Sequence, residues 1–377
     1  MQLYRIASLT EVDARAWNAL VNDHYPFLRH EFLLALETSE ATSAKTGWIA
    51  QHLLLFDGEK LIALMPLYLK QHSRGEYVFD QQWASAFHQH GLAYYPKCLT
   101  AIPFTPCPGP RFCIAEHADA TQILALLIEE IKALCAEKAI SSWHCLFPNN
   151  AQLTLLKSLQ LGIREGVQFQ WFNKNYAVFD DFLQVLSASK RKMIKRERRR
   201  VIEQGVELIQ IPGQDVSAAQ WEIFFQFYVM TYLKKGSQPY LNLNFFHEIA
   251  RTMGNQLLLI MAVKEGKYVG SALSFIGADT LFGRYWGCHE EFNSLHFEAC
   301  YYQGIDYCIA HGLKRFDSGA QGEHKIARGF EPVTTYSTHW IKNPEFAKAI
   351  ANFLDREREL IRDYKNDVAS YLPFKSA

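Results

Sequence analysis

Two short turns constrain this chain most. Asp57-Gly58 joins the apolar runs Trp48–Leu55 and Leu61–Lys70, and Glu265-Gly266 joins Leu257–Lys264 to Tyr268–Ile276. An acidic residue followed by glycine between strand-like runs selects a tight hairpin, because glycine takes positive φ at no steric cost. Each hairpin sits in the same succession: helices before it, then a third strand, a helix and a closing strand. Phe56–Ala63 and Val263–Gly270 hold the same place in that succession, so the chain reads as a structural pseudo-repeat. Hairpins leading into a strand–helix–strand end give mixed sheets flanked by helices, not a doubly wound parallel sheet. The expected class is therefore α/β with mixed sheets. The expected partition is a first domain over 1–170, a second over 171–343 and a C-terminal helix and tail over 344–377.

Within that frame, Tyr77–Trp83 reads as a further strand and the proline-rich stretch Pro103–Pro110 as a rigid wall. Leu183–Glu203 reads as one long helix, His296–His311 as another, and Pro344–Tyr364 as a charged amphipathic helix. A strand is expected near Trp171–Phe179, crossing from one domain to the next.

Composition narrows the class of function. Formal net charge is zero, so no whole-chain field draws the protein to nucleic acid or to an anionic membrane. Aromatic residues make up 14% of the chain, enough to line a groove as well as to fill a core. A membrane span needs ~18 or more consecutive apolar residues, and the most apolar stretch is broken by Asp57–Lys60. The N-terminus lacks a signal-peptide core, and the eight cysteines never fall in C-x-x-C spacing. The chain reads as a cytoplasmic protein with reduced core thiols and no metal site; His88-Gln-His90 lacks the companions a metal needs.

Four stretches concentrate polar chemistry. Asp317–Phe330 holds Gly319, Gly322 and Gly329, interleaved with Gln321, Glu323, His324, Lys325 and Arg328. A core has no use for that mixture, whereas a loop can converge such groups on one point. Arg284–Glu298 reads as a strand, a polar turn and a helix start, a place where N–H groups can face a developing oxyanion. Lys190–Arg200 carries eight basic residues in eleven on a helix whose apolar positions keep one face packed; phosphate contact and a plain solvated face both remain open. Lys70–Asp80, with Tyr94-Tyr95-Pro-Lys97 downstream, lines an acceptor groove or forms an ordinary capped turn.

Read together, Ser189–Arg200, Arg284–Cys288, Leu295–Glu298 with Tyr301–Gln303, Gly319–Lys325 with Arg328–Phe330, Gly75–Asp80 and Tyr94–Lys97 resemble the FemAB-like N-acyltransferases. That bacterial family is associated with peptidoglycan biosynthesis and recognition. The resemblance covers nearly the whole chain and implies two tandem GNAT-like domains. It implies amine attack on an activated acyl group, from aminoacyl-tRNA or acyl-CoA as donor with no firmly bound cofactor. The acceptor expected from the resemblance is a small-molecule or peptide amine, and the family's association places peptidoglycan among the candidates. Segment His289–Leu295 departs from the acyl-CoA branch: it has two carboxylates and no glycine, lysine or arginine to receive a pyrophosphate.

The resulting assignment places Glu290, Glu323, His324 and Lys325 in catalysis. Tyr285, Trp286, His296, Gln321, Arg328, Lys97 and Tyr95 bind substrate, and Lys195, Arg196 and Arg199 contact nucleic acid. Lys325 and Arg328 are expected to hold negative charge, and Glu323, His324 and Glu290 to handle protons. The alternative is a non-catalytic GNAT scaffold that binds a cell-wall or peptide ligand.

Overall fold

The computed structural model describes residues 1–21, 24–320 and 322–375. The chain forms two compact units, Met1–Gly166 with Thr334–Asp363, and Val167–Val333 with the residues from Tyr364 onward.

The first unit contains β1 (Gln2–Ile6), α1 (Ala14–Val21), α2 (His30–Thr38), β2 (Trp48–Ala50), β3 (His52–Asp57), β4 (Lys60–Met65) and β5 (Tyr68–Lys70). It continues through α3 (Gln81–Gln89), β6 (Lys97–Thr100), β7 (Cys113–Ile114), α4 (Ala120–Glu137), β8 (Ser142–Leu146) and α5 (Asn150–Lys157), and enters β9 (Gly162–Phe172). The Asp57-Gly58 turn forms as expected, with Gly58 at φ 59° and Asp57 paired to Lys60. The hairpin does not stay in one sheet. β3 and β4 join β1 and β7, whereas β2 and β5 pair with each other and β5 passes on to β6, β8 and then β15 (Glu331–Ile341). The interruption falls at Gln51 and Pro66-Leu67: the Gln51 N–H still bonds the Leu67 carbonyl at 2.8 Å, but Pro66 has no N–H to give and the Leu67 N–H bonds His52 Nδ1 at 3.1 Å. Helix α4 buries Ile123, Leu127, Ile131 and Leu134 against Leu53, Met65 and Trp143. Burying each such side chain contributes about 1.5–3 kcal/mol.

The second unit contains α6 (Phe179–Val185), α7 (Ala188–Glu203), β10 (Val206–Pro212), α8 (Ala218–Lys234), α9 (Leu243–Met253), β11 (Leu257–Lys264), β12 (Lys267–Ile276) and β13 (Thr280–Cys288). After these come α10 (Leu295–Phe297), a π-helical turn over Glu298–Tyr302, α11 (Gln303–Ala310) and β14 (Arg315–Asp317). Its sheet order is β10-β11-β12-β13-β14-β9, antiparallel except for the parallel β13/β14 pair. Glu265 and Gly266 both take positive φ in the β11–β12 turn, as the dipeptide requires. Helix α12 (Pro344–Ser370) runs past the expected Tyr364 end.

This is the expected α/β class: mixed sheets flanked by helices in two compact units, with a long C-terminal helix. Three local readings change. Tyr77–Trp83 is no strand; Tyr77 sits at φ 63° and α3 begins right after Asp80. The expected Leu183–Glu203 helix is two helices, because Leu186 turns extended and the C-terminal tail pairs there, Ser187 N–H to the Pro373 carbonyl at 2.8 Å. The strand expected near Trp171 begins earlier and ends at Phe172. No helix among the described residues is long and apolar enough to cross a membrane.

Candidate functional site

In the second unit, β13 runs parallel to β14 only over Thr280–Phe282 against Arg315–Asp317. Beyond that point β13 continues to Cys288 beside β12, while the chain leaves β14 after Asp317. The β12/β13 register slips so that Leu273 faces Tyr285 and Ser274 faces Gly283, leaving Arg284 as an extra residue. Such a bulge bends and twists its strand. Parallel strands that part at their carboxyl ends open the crevice where ligands of α/β sheets bind.

The glycine loop occupies this opening. Asp317 is buried; its Oδ1 accepts the Gly319 N–H at 3.0 Å and its Oδ2 accepts from Gln170 Nε2 at 3.3 Å. Burial raises the Asp317 carboxyl above its usual range. Gly319 takes φ 94°, a conformation that glycine adopts without the Cβ penalty. Lys325, also buried, donates from Nζ to the Ser318 carbonyl at 3.1 Å and the Gly319 carbonyl at 2.6 Å, which ties the loop to the short helical turn Glu323–Arg328.

Opposite the loop, the π-helical turn adds a residue to one helical turn, a device common at functional sites. It directs Tyr301 Oη to His324 Nε2 at 2.7 Å and Tyr302 Oη to Glu197 on α7. Arg328 grips Glu197 with both arms, Nε to Oε2 at 3.1 Å and an Nη to Oε1 at 2.7 Å, and its other Nη donates to the His324 carbonyl at 2.6 Å. Its guanidinium lies 3.4 Å over the Phe297 ring. His296 meets Trp286 edge-on at 5.8 Å and lies 6.0 Å from the His324 ring. Burial first, then His324, Arg328 and Lys325, pull the pKa of His296 down to about 4. Partial burial, with Arg328 and Lys325, also lowers His324, so both imidazoles are neutral at neutral pH. Burial raises the Tyr301 phenol. The set offers a neutral imidazole–phenol pair at the rim, a lysine beneath the loop and a strand edge released from pairing.

Of the residues expected at a site, His296, Trp286, His324, Lys325 and Arg328 gather here. Arg328 is an internal strut, so any substrate charge would compete with Glu197 for it. Tyr285 points elsewhere, packing on Tyr228 and Phe246. Glu290 lies exposed in the turn after β13, and Glu323 is exposed, accepting from Tyr364 Oη at 2.8 Å. Gln321 lies outside the described residues. Tyr95 and Lys97 belong to the first unit, where Lys97 Nζ donates to Ser73 Oγ at 2.8 Å, Glu76 Oε2 at 2.7 Å and Asp80 Oδ2. Tyr95 Oη bonds Ser73 Oγ at 2.7 Å. Lys195, Arg196 and Arg199 lie on the exposed face of α7, where Lys195 reaches Asp180 at 3.4 Å and Arg199 reaches Glu203 at 3.2 Å.

Sequence reasoning assigned no role to Glu197, Tyr301 or Tyr302, although all three lie in stretches that carry the family resemblance. A signal for Glu197 existed: Ile194, Glu197 and Val201 share one buried helical face, so the single acid of the basic run is the residue turned inward. Among the described residues, no three His, Cys, Asp or Glu side chains gather as a metal ion would require.

A family model for FemAB-like proteins, described as peptidoglycan biosynthesis/recognition, matches residues 8–376. No curated protein matches the sequence. The fold is similar to that of FemX, with TM-score 0.55 at 12% identity over 93% of this chain and 100% of that one. It is also similar to a C-terminal domain assigned to a lysylphosphatidylglycerol synthetase from Agrobacterium fabrum, with TM-score 0.54 at 9% identity over 93% and 97% of the two chains. A conserved protein of unknown function from Bacteroides thetaiotaomicron gives TM-score 0.52 at 10% identity over 89% and 99%.

Proposed function

The chain belongs to the FemAB-like family, and from that premise we propose that it is an N-acyltransferase or aminoacyltransferase acting on an amine, in the cytoplasm and linked to peptidoglycan. The observation that carries this reading is the parting of β13 from β14 around the His324–Tyr301 pair and the Lys325-tied loop. An acyl donor laid along the released edge of β13 presents its carbonyl to strand N–H groups. The amine nitrogen attacks that carbonyl, a C–N bond forms, and the oxygen gains charge that N–H donors and the nearby Lys325 cation stabilise. Neutral His324 takes the proton the amine loses, with Tyr301 holding the ring in orientation. The C–O bond of an aminoacyl-tRNA ester, or the C–S bond of an acyl-CoA thioester, then breaks, and the leaving group takes up a proton.

Exposed Lys195, Arg196 and Arg199 on α7 favour the tRNA donor, since a row of cations suits a phosphate backbone. FemX and the lysylphosphatidylglycerol synthetase domain share this fold, and the lysyl group in the second name carries aminoacyl chemistry to this chain as part of the proposal. The test offers the full chain charged tRNAs or acyl-CoAs together with stem-peptide amines, and reads the acceptor's mass. A mass gain of one acyl or aminoacyl group supports the reading. Saturable acceptor binding with no gain from any donor supports the non-catalytic scaffold instead.

A further inference from the structure

The first unit holds a second concentration of buried charge that the transfer reaction does not use. Lys70 and Lys97 are directly opposite one another across the β5/β6 ladder, and both are buried. Like charges placed so are destabilising unless other groups offset them. Segment 71–80 does this by folding Glu76 and Asp80 inward beside them, each no more than 4% exposed. The offset is lopsided. Lys97 uses all three of its N–H groups, on Ser73, Glu76 and Asp80. Among the described residues Lys70 has one acceptor, the Arg74 carbonyl at 3.3 Å, and its ammonium also faces the Trp48 ring at 3.9 Å. Glu76 Oε1 and Asp80 Oδ1 are buried and receive no hydrogen bond from the described residues. Burial pushes Lys70 down to about 7 and Glu76 up to about 7, the behaviour of charges whose partners are incomplete.

Buried polar groups in folded proteins are as a rule matched. What is unmatched here has a definite chemistry: two carboxylate oxygens that need donors, and an ammonium with donors to spare. We propose that this cluster is a ligand site in the first unit for a small zwitterion, an amino-acid-class molecule. Its primary ammonium bonds Glu76 Oε1 and Asp80 Oδ1, and its carboxylate takes the free N–H groups of Lys70. A zwitterion leaves the charge balance of two lysines and two acids unchanged, whereas a bare amine or a bare acid adds an uncompensated buried charge. The aliphatic part of such a ligand meets Trp48. Segment 71–80 supplies Ser73, Glu76 and Asp80 to the cluster, with Tyr77 in the left-handed region and Phe79 66% exposed.

The inference stands apart from the transfer reaction, because it is read by binding without any acyl donor. The experiment titrates the full chain with glycine, L-alanine and L-lysine, with ethylammonium chloride and sodium acetate as half-ligands, by calorimetry and by amide chemical shifts. The expected result is saturable binding of at least one amino acid, with shifts confined to residues 70–80 and 97. Each half-ligand binds about tenfold or more weakly, as loss of a charged hydrogen-bond partner implies. In Glu76→Gln the amino-acid affinity falls by at least the same factor. Should Glu76→Gln unfold, Lys70→Met serves, and it abolishes the preference for the zwitterion over ethylammonium. Absence of binding by every probe, shifts located elsewhere, or unchanged affinity in the folded variants overturns the proposal.

Discussion

Each unit buries a cation against carboxylates, and the two clusters are finished differently. In the second unit Arg328 covers both oxygens of Glu197 and Tyr302 adds a third bond, so nothing on that carboxylate is left to bind. In the first unit Lys97 takes one oxygen each from Glu76 and Asp80 and leaves the others unmatched, with Lys70 under-partnered alongside. The first arrangement is a strut that fixes the π-helical turn and the loop around a site. The second has unused hydrogen-bonding capacity of its own. Burial alone therefore does not separate structural charges from functional ones; counting satisfied atoms does.

The largest effect expected is on the strut. Glu197→Ala leaves a buried guanidinium without its partner and should cost about 3–5 kcal/mol in urea unfolding. A loss below about 1 kcal/mol would mean that water replaces Glu197 and that the strut reading is wrong. Next comes the rim. His324→Ala should lower turnover about 10²–10⁴-fold while leaving the unfolding midpoint nearly unchanged, since the residue stands at the exposed rim and gives up one hydrogen bond, to Tyr301. A large shift in midpoint would move His324 into the structural class with Arg328.

The clusters also differ in the sign of their pH response. Glu76, raised from 4.5 to about 7, binds a proton more tightly when folded, so its share of stability falls as pH rises from 4.5 to 7. Lys70, lowered from 10.5 to about 7, binds its proton more weakly when folded, so stability recovers as pH rises from 7 to 10.5. His296, lowered from 6.5 to about 4, contributes the opposite way to Glu76: stability is lost as pH falls from 6.5 to 4. Each contribution is on the order of 3–5 kcal/mol. Unfolding free energies for Glu76→Gln, Lys70→Met and His296→Gln across pH 4–10 should each flatten one limb. The smallest stability effect belongs to α7: reversing Lys195, Arg196 and Arg199 should change stability by no more than about 1 kcal/mol. The same triple change should weaken tRNA binding and reduce its salt slope by about 2; an unaltered slope removes tRNA from the account.

Much of this was legible in the sequence where short-range chemistry decides. Glu265-Gly266 and Asp57-Gly58 dictate their turns locally, and the three glycines of the 317–330 loop mark a backbone that must take unusual angles. The split of the first hairpin between two sheets was not legible, because partner choice at Gln51 and Pro66 depends on strands far along the chain. Strand β15 escaped notice because Glu331–Ile341 is rich in Thr, Ser and His rather than aliphatics, although β-branched threonine suits a strand. The break at Leu186 required the C-terminal tail to be seen pairing there. For the site, residue types in the loop pointed to the right region, but the roles did not follow. Arg328 meets a glutamate 131 positions away, and Lys97 meets acids that the sequence showed only as part of a polar turn.

The central claim is that acyl transfer to an amine takes place at the parted β13/β14 edge with His324 as proton acceptor. Its most direct test is the acceptor's mass gain under single-turnover conditions in wild type beside His324→Ala, both confirmed folded. The account predicts one transferred acyl group in wild type and a rate at least about 10²-fold lower in the variant. Equal rates in the two proteins would contradict it.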